Sequence, residues 1–247
     1  MSGHSKWASI KHKKAAVDAK RGKIFTKIIR EITVAAKIGG GDPNTNPRLR
    51  TAIDTAKGAN MPADNIDRAI KKGTGDIEGV TYEEVFYEGY GPEGVAVYVQ
   101  CLTDNKNRTA SEIRTIFSKR NGNMAGAGSV AWLFEKKGLL VVDEKSAKED
   151  ELMEIVLNAG ADDLSKSGTQ FEILAEPQNF EAVKKALDDA KIKYEHASLQ
   201  MIPKNSTAVT TEQARSVIAL VDGLEDHDDV QNVYTNCDFP AEIMKEI

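Results

Sequence analysis

Lysine and arginine are the residues whose spacing points most plainly to a chemistry in this chain. Lys23, Lys27 and Arg30 recur four and three residues apart, which on a helix places them in one row. Arg48, Arg50 and Lys57 follow in a second helical segment, and Arg68, Lys71 and Lys72 in a third. Ahead of them Lys6, Lys11, Lys13, Lys14, Lys20 and Arg21 make a basic arm, with His12 available for phosphate contact or stacking. Each phosphate that such a cation neutralises releases counterions, so about eight contacts would dominate binding to a polyanion. Lysine in place of aromatic enrichment argues for a grip on the backbone over reading of bases. Trp7 has two readings, a platform for a base or an anchor for the arm. Lys106 and Arg108, in Asp104-Asn105-Lys106-Asn107-Arg108-Thr109, precede a predicted helix whose free N–H groups suit a phosphate. The competing reading of that segment is helix capping alone.

The charge is divided unevenly along the chain. Residues 1–75 carry 16 Lys and Arg against 6 Asp and Glu, whereas residues 76–247 carry 17 against 32. A basic head on an acidic body is the electrostatic layout of a polyanion-binding protein.

Other chemistries find little support. The phosphate-cradling GxxxxGK[ST], a GxGxxG after a strand, GxSxG and HExxH are all missing. The glycine-rich Gly122–Ser129 reads as a plain turn. Glu225-Asp226-His227-Asp228-Asp229 offers oxygen and imidazole ligands, but consecutive side chains diverge, so a solvated helix end is expected there. His196 lies in an alternating strand and reads as an ordinary face residue, and Asp162-Asp163 as a surface pair. Cys101 and Cys237 are too few and too far apart for a disulfide framework or a thiolate site. The chain is therefore expected to be no enzyme and to hold no cofactor or metal. No apolar run approaches the roughly 18 residues of a membrane span, and no secretory signal pattern opens the chain. A cytoplasmic location is expected.

Three amphipathic segments must carry the basic residues. Ile24, Phe25, Ile28, Ile29, Ile32, Ala35 and Ala36 recur at helical spacing up to Gly39-Gly40-Gly41. Asn46 caps a second helix with Pro47 in its first turn and Leu49, Ile53 and Ala56 inward. The third runs from Pro62 through Ile66, Ala69 and Ile70 to Gly73. Beyond Val80 the period becomes two. Strands are predicted at Val85–Glu88, Gly94–Leu102 and Ser129–Phe134, with a helix opened by a capping box at Thr109–Glu112 between the last two. Strand Leu139–Val142, a helix capped by Ser146 and Glu149, strand Phe171–Ala175, a helix around Val183 and strand Glu195–Ile202 complete a β-α-β-α-β unit. One helix and one strand remain in Thr210–Phe239, too little for a core of their own, so they return to complete the earlier strands.

The predicted fold class is α+β multidomain: an N-terminal three-helix domain plus two two-layer α+β (ferredoxin-like) domains, one inserted in the other. The boundaries are a basic arm at 1–22, a helical nucleic-acid-binding domain at 23–75, a discontinuous α+β domain from 80–135 with 207–240, and an insertion at 137–205.

Several segments resemble the YebC family: GHSKWASIKHKKAAVDAKRGKIF from Gly3, NPRLRTAI from Asn46, NMPADNIDRAIKKG from Asn60, YEGYGPEGVAV from Tyr87 and TDNKNRTASEIR from Thr103. The resemblance covers nearly the whole chain. It implies a helical domain and two α+β domains, the last inserted in the middle one, and a DNA-binding transcriptional regulator as the function. A mitochondrial relative that activates translation, and a link of bacterial members to ribosomes, make a factor that binds ribosomal RNA the alternative. The lack of a helix-turn-helix of usual spacing favours that alternative, and the family description favours the first. DNA or ribosomal RNA is the expected partner, with the ribosome a further candidate and neither membrane nor small-molecule substrate.

Overall fold

A computed structural model describes residues 21–240, 242 and 243. Seven helices and two four-stranded antiparallel sheets are present among them. Two compact units divide the described chain, residues 21–131 with 215–235 and residues 132–214 with 236–243.

The first unit opens with α1 (Arg21–Gly39), α2 (Pro47–Gly58) and α3 (Ala63–Thr74). Their apolar stripes pack on one another, with Ile28, Ile32, Leu49, Ala52, Ile66 and Ala69 buried and Phe25, Ile29 and Ile70 partly so. Asn46 caps α2 as the sequence predicts, its side-chain oxygen accepting the Leu49 N–H at 3.1 Å. The same side chain donates to the carbonyls of Ala35 and Gly40, so one residue both starts α2 and closes the end of α1.

Strands β1 (Glu83–Tyr90) and β2 (Ala96–Thr103) form a hairpin, followed by α4 (Lys106–Lys119) and the short β3 (Asn123–Ala125). Helix α7 (Thr211–Glu225) and β9 (Val230–Thr235) return to the sheet, whose order is β3-β1-β2-β9. Two predicted details change. The helix begins three residues before the expected capping box, because the Asn105 side chain accepts the Arg108 N–H at 3.1 Å and takes the N-cap role. The third strand is Asn123–Ala125 and not Ser129–Phe134, since the loop carrying Val130 is fastened to a buried carboxylate. Glu88 accepts the N–H groups of Gly128, Val130 and Ala131 at 2.7, 2.6 and 2.8 Å. Burial alone would raise the Glu88 carboxyl, but these backbone donors outweigh it and hold it below the ordinary range.

The second unit contains β4 (Phe134–Asp143), α5 (Glu149–Asn158), β5 (Ala161–Ser167), β6 (Gln170–Ala175), α6 (Phe180–Asp189) and β7 (His196–Pro203). Their order β5-β6-β4-β7 is that of a ferredoxin-like sheet. Leu140, Val142, Phe171 and Ile173 pack beneath the helices on Leu152, Val156, Val183 and Leu187. Strand β5 is an addition to the predicted order, and Ser146 does not cap α5, whose N-cap is Lys148 without a side-chain bond. The short β8 (Thr207–Ala208) and β10 (Cys237–Asp238) pair in parallel in this unit. No helix among the described residues is long and apolar enough to cross a membrane.

Candidate nucleic-acid interface

The predicted cations divide sharply according to what holds them. Along α1 the row of Lys23, Lys27 and Arg30 forms as expected, but it faces the acidic corner that ends α7. Lys23 Nζ donates to the Asp226 carbonyl at 3.1 Å and lies 3.9 Å from its carboxylate. Lys27 Nζ donates to the Glu225 carbonyl at 2.8 Å. The last carbonyls of a helix lack intrahelical donors and carry the negative end of its dipole, so these ammonium groups cap α7.

Arg30 lies deeper. Its Nη1 reaches the carbonyl of Asp228 at 2.8 Å and Oδ1 of Asp229 at 2.5 Å, and the Tyr82 ring covers the guanidinium at 5.2 Å. Only 13% of the Arg30 side chain and 3% of the Asp229 side chain remain exposed. Arg108 and Thr109 reach the other carboxylate oxygen at 3.0 and 2.6 Å. A carboxylate only accepts, so the Thr109 hydroxyl donates to it and must itself accept from Thr103, 2.7 Å away. Thr103 in turn accepts the Asn105 N–H at 2.9 Å. The acidic corner is thus more than a solvated helix end: Asp226 and Asp228 stay exposed, but its last residue is a buried node tying α1, α4 and β9 together.

Burial alone would raise the Asp229 carboxyl. The hydrogen bonds of Thr109, Arg108 and Arg30, with the charge of Arg30, overturn that and set its pKa at about 2. The unfolded carboxyl titrates about two units higher, so the folded state is favoured by about 2 kcal/mol above roughly pH 4–5 and loses this as pH falls towards 2. Chemical denaturation of the wild type at pH 6 and pH 3 should show the loss. The Asp229→Asn variant should show a pH dependence smaller by that amount.

Glu112, His227 and Asp229 bring potential ligand atoms within 4.8 Å of one another. His227 Nδ1 accepts the Asp229 N–H at 3.1 Å, which leaves Nε2–H to donate to Glu112 at 2.8 Å. Asp229 already answers two guanidinium groups. The arrangement is filled by the chain's own cations and does not favour a metal.

Of the remaining predicted cations, Lys57 is exposed on α2 with no ion pair or side-chain hydrogen bond among the described residues, and the others fall into two sets. Arg48 is clamped between Glu31, at 2.6 and 3.0 Å, and Glu84, at 3.0 Å. Arg50 donates to the Pro43 carbonyl at 3.1 Å. Lys106 pairs with Glu83, and Arg108 adds a bond to Asp104 at 2.8 Å, so the first turn of α4 meets carboxylates rather than an open anion site. By contrast Arg68, Lys71 and Lys72 are exposed on the outer side of α3 with no ion pair or side-chain hydrogen bond among the described residues. The end of α3 abuts the end of α1: a Cβ at Gly73 would lie 3.2 Å from the Lys37 nitrogen. Lys37, beside that contact, is exposed, but its charge acts on Glu83, which already pairs with Lys106, so it is not counted with the α3 cations. Lys6, Trp7, Lys11, His12, Lys13, Lys14 and Lys20 lie outside the described residues, as does the side chain of Arg21.

Comparison with known proteins places this architecture. Residues 5–76 match the TACO1/YebC protein N-terminal domain, and residues 82–237 match the TACO1/YebC second and third domain. A probable transcriptional regulatory protein of Desulfatibacillum aliphaticivorans is 57% identical over 246 residues, covering 100% of both chains. One of Geobacter sulfurreducens is 57% identical over 247 residues, again covering 100% of both. The crystal structure of a conserved hypothetical protein from Aquifex aeolicus superposes with a TM-score of 0.83 at 47% identity, over 93% of this chain and 95% of that one. With family models matching both parts of the chain and relatives aligned from end to end, the chain belongs to the TACO1/YebC family.

Proposed function

We propose that the chain is a non-enzymatic nucleic-acid-binding regulator of gene expression that acts on transcription by gripping DNA through its phosphates. The observation that carries this is the α3 edge, where Arg68, Lys71 and Lys72 stay exposed and unpaired among the described residues while Lys23, Lys27, Arg30, Arg48 and Arg50 are held by carboxylates and carbonyls. Lys71 and Lys72 also stand in the last turn of α3, where they favour the helix dipole by about 0.3–1 kcal/mol each without losing their reach to solvent. The names of the relatives, probable transcriptional regulatory proteins, support the regulatory role. In this proposal the basic arm of residues 1–22 adds Lys6, Lys11, Lys13, Lys14, Lys20 and Arg21 to the grip. The acidic sheet modules, 80–135 with 207–240 and 137–205, contact other partners. The cell compartment is the cytoplasm.

The test is anisotropy binding of the full-length protein to a mixed-sequence duplex across a salt series. The R68Q/K71Q/K72Q variant should bind about ten- to a hundredfold more weakly, and the slope of log affinity against log salt should flatten by about two to three. Circular dichroism should show an unchanged fold, since all three side chains are exposed. An unaltered affinity and slope would remove α3 from the interface. Purified ribosomes titrated against the bound duplex supply the second arm. If they strip the protein from a large excess of DNA, the target is ribosomal RNA and the transcriptional reading falls.

A further inference from the structure

We infer that the acidic corner at the end of α7 is a built-in competitor for the cations of α1, so that a nucleic acid must displace part of the protein's own polyanion-like surface to engage them. The inference rests on the nucleic-acid reading and concerns the regulation of that interface.

Lys23, Lys27 and Arg30 form a row of the kind that meets successive phosphates, and the corner presents a carbonyl or carboxylate oxygen to each member. The corner is also the densest run of acid in the chain, Glu225, Asp226, Asp228 and Asp229 within five residues. Depth separates what can open from what cannot. Arg30 and Asp229 are nearly removed from solvent, and Arg108 and Thr109 share the same carboxylate, so separation of the pair would leave a buried charge unanswered. That pair stays closed. Lys23 and Asp226 keep 50% and 63% of their side chains exposed, and solvent and salt screen a contact of this kind. Phosphates at a salt concentration near 0.1 M compete on equal terms with them. The device is therefore an outer flap of charge hinged on a fixed inner node, with Lys23 as its outermost exchangeable cation and the part-buried Lys27 behind it.

The geometry has a consequence that a diffuse field does not. While the corner engages Lys23 and Lys27 they are not available to phosphate, so binding through the other cations releases no counterions from them. Freed of the corner, each should add about 0.9 to the salt slope.

The experiment uses the full chain and the same mixed-sequence duplex. D226N/D228N removes two charges from the corner and leaves the carbonyls that cap α7. Its affinity should rise about three- to tenfold at low salt and its slope should steepen by about one to two. K23Q/K27Q alone should change the wild-type affinity little, and in combination with D226N/D228N it should abolish the gain. A gain that persists in the fourfold variant would overturn the proposal, because it would then arise from net charge at a distance. No gain in D226N/D228N, with the wild type still binding and still sensitive to R68Q/K71Q/K72Q, would overturn the competitor and leave the nucleic-acid reading standing. If neither wild type nor variant binds duplex, both fall.

Discussion

Asp229→Ala should destabilise the protein by about 3–5 kcal/mol, the cost of breaking a buried ion pair from one side. Three groups lose an answer at once. Arg30, 13% exposed, retains its charge, and its Nε already lacks a partner. Thr109, fully buried, loses the shorter of two acceptors for its hydroxyl proton and keeps only the Asn105 carbonyl at 3.0 Å. Arg108 loses least, since 44% of its side chain is exposed and Asp104 still accepts from it. Two comparisons isolate the cause. Asp104→Ala, which removes an exposed partner of the same arginine, should cost no more than about 1 kcal/mol. R30M/D229L, which replaces both charges with apolar groups of similar volume, should recover much of the loss. Denaturant unfolding with a shared m-value measures all three, and an Asp229→Ala loss below about 1 kcal/mol would show that the node is not structural.

Gly73→Ala is the second large effect, and two opposing terms decide its sign. Within a helix, alanine is favoured over glycine by about 1 kcal/mol. At this position, however, the added Cβ would lie 2.3 Å from the Thr33 carbonyl oxygen and 2.7 Å from the Ala36 Cβ. The first of these is backbone of α1 and cannot swing away, so α3 must move off its neighbour, at a cost of about 2–3 kcal/mol that outweighs the helix gain. Net destabilisation of about 1–2 kcal/mol is expected by thermal or urea unfolding. Gly58→Ala is the control: its Cβ would meet nothing within 4 Å, and it too lies in a helix. It should be neutral or stabilising. Equal effects at the two glycines would refute the close α1–α3 approach.

The three helices were legible because each writes its burial as a 3.6-residue stripe, and Asn46-Pro47 announces where the second begins. The hairpin was equally plain, since Val95, Val97, Val99 and Cys101 are all fully buried. Strand β5 was not. Ala161-Asp162-Asp163-Leu164-Ser165-Lys166-Ser167 buries no residue fully, as suits an edge, and its pairing with β6 is irregular between Ala161 and Asp163. Thr109 misled for another reason. A threonine three residues before a glutamate carries the local signature of a cap, whereas its hydroxyl serves a carboxylate 120 positions away. Helix periodicity found the row of Lys23, Lys27 and Arg30 but said nothing of what faces it. The partners lie about two hundred residues further along the chain, and no spacing rule encodes them. The interface was therefore readable as a set of charges, and unreadable as the smaller set left free for a ligand.

The central claim is that the free cations on α3 make the phosphate contact. Site-resolved lysine acylation of the full-length protein, with and without a saturating mixed-sequence duplex, tests it most directly. Lys71 and Lys72 should react readily in the free protein and become several-fold protected by DNA, while Lys106, paired with Glu83, should change little. Saturation by duplex with Lys71 and Lys72 reacting as fast as before would contradict the account and place the nucleic acid on another surface.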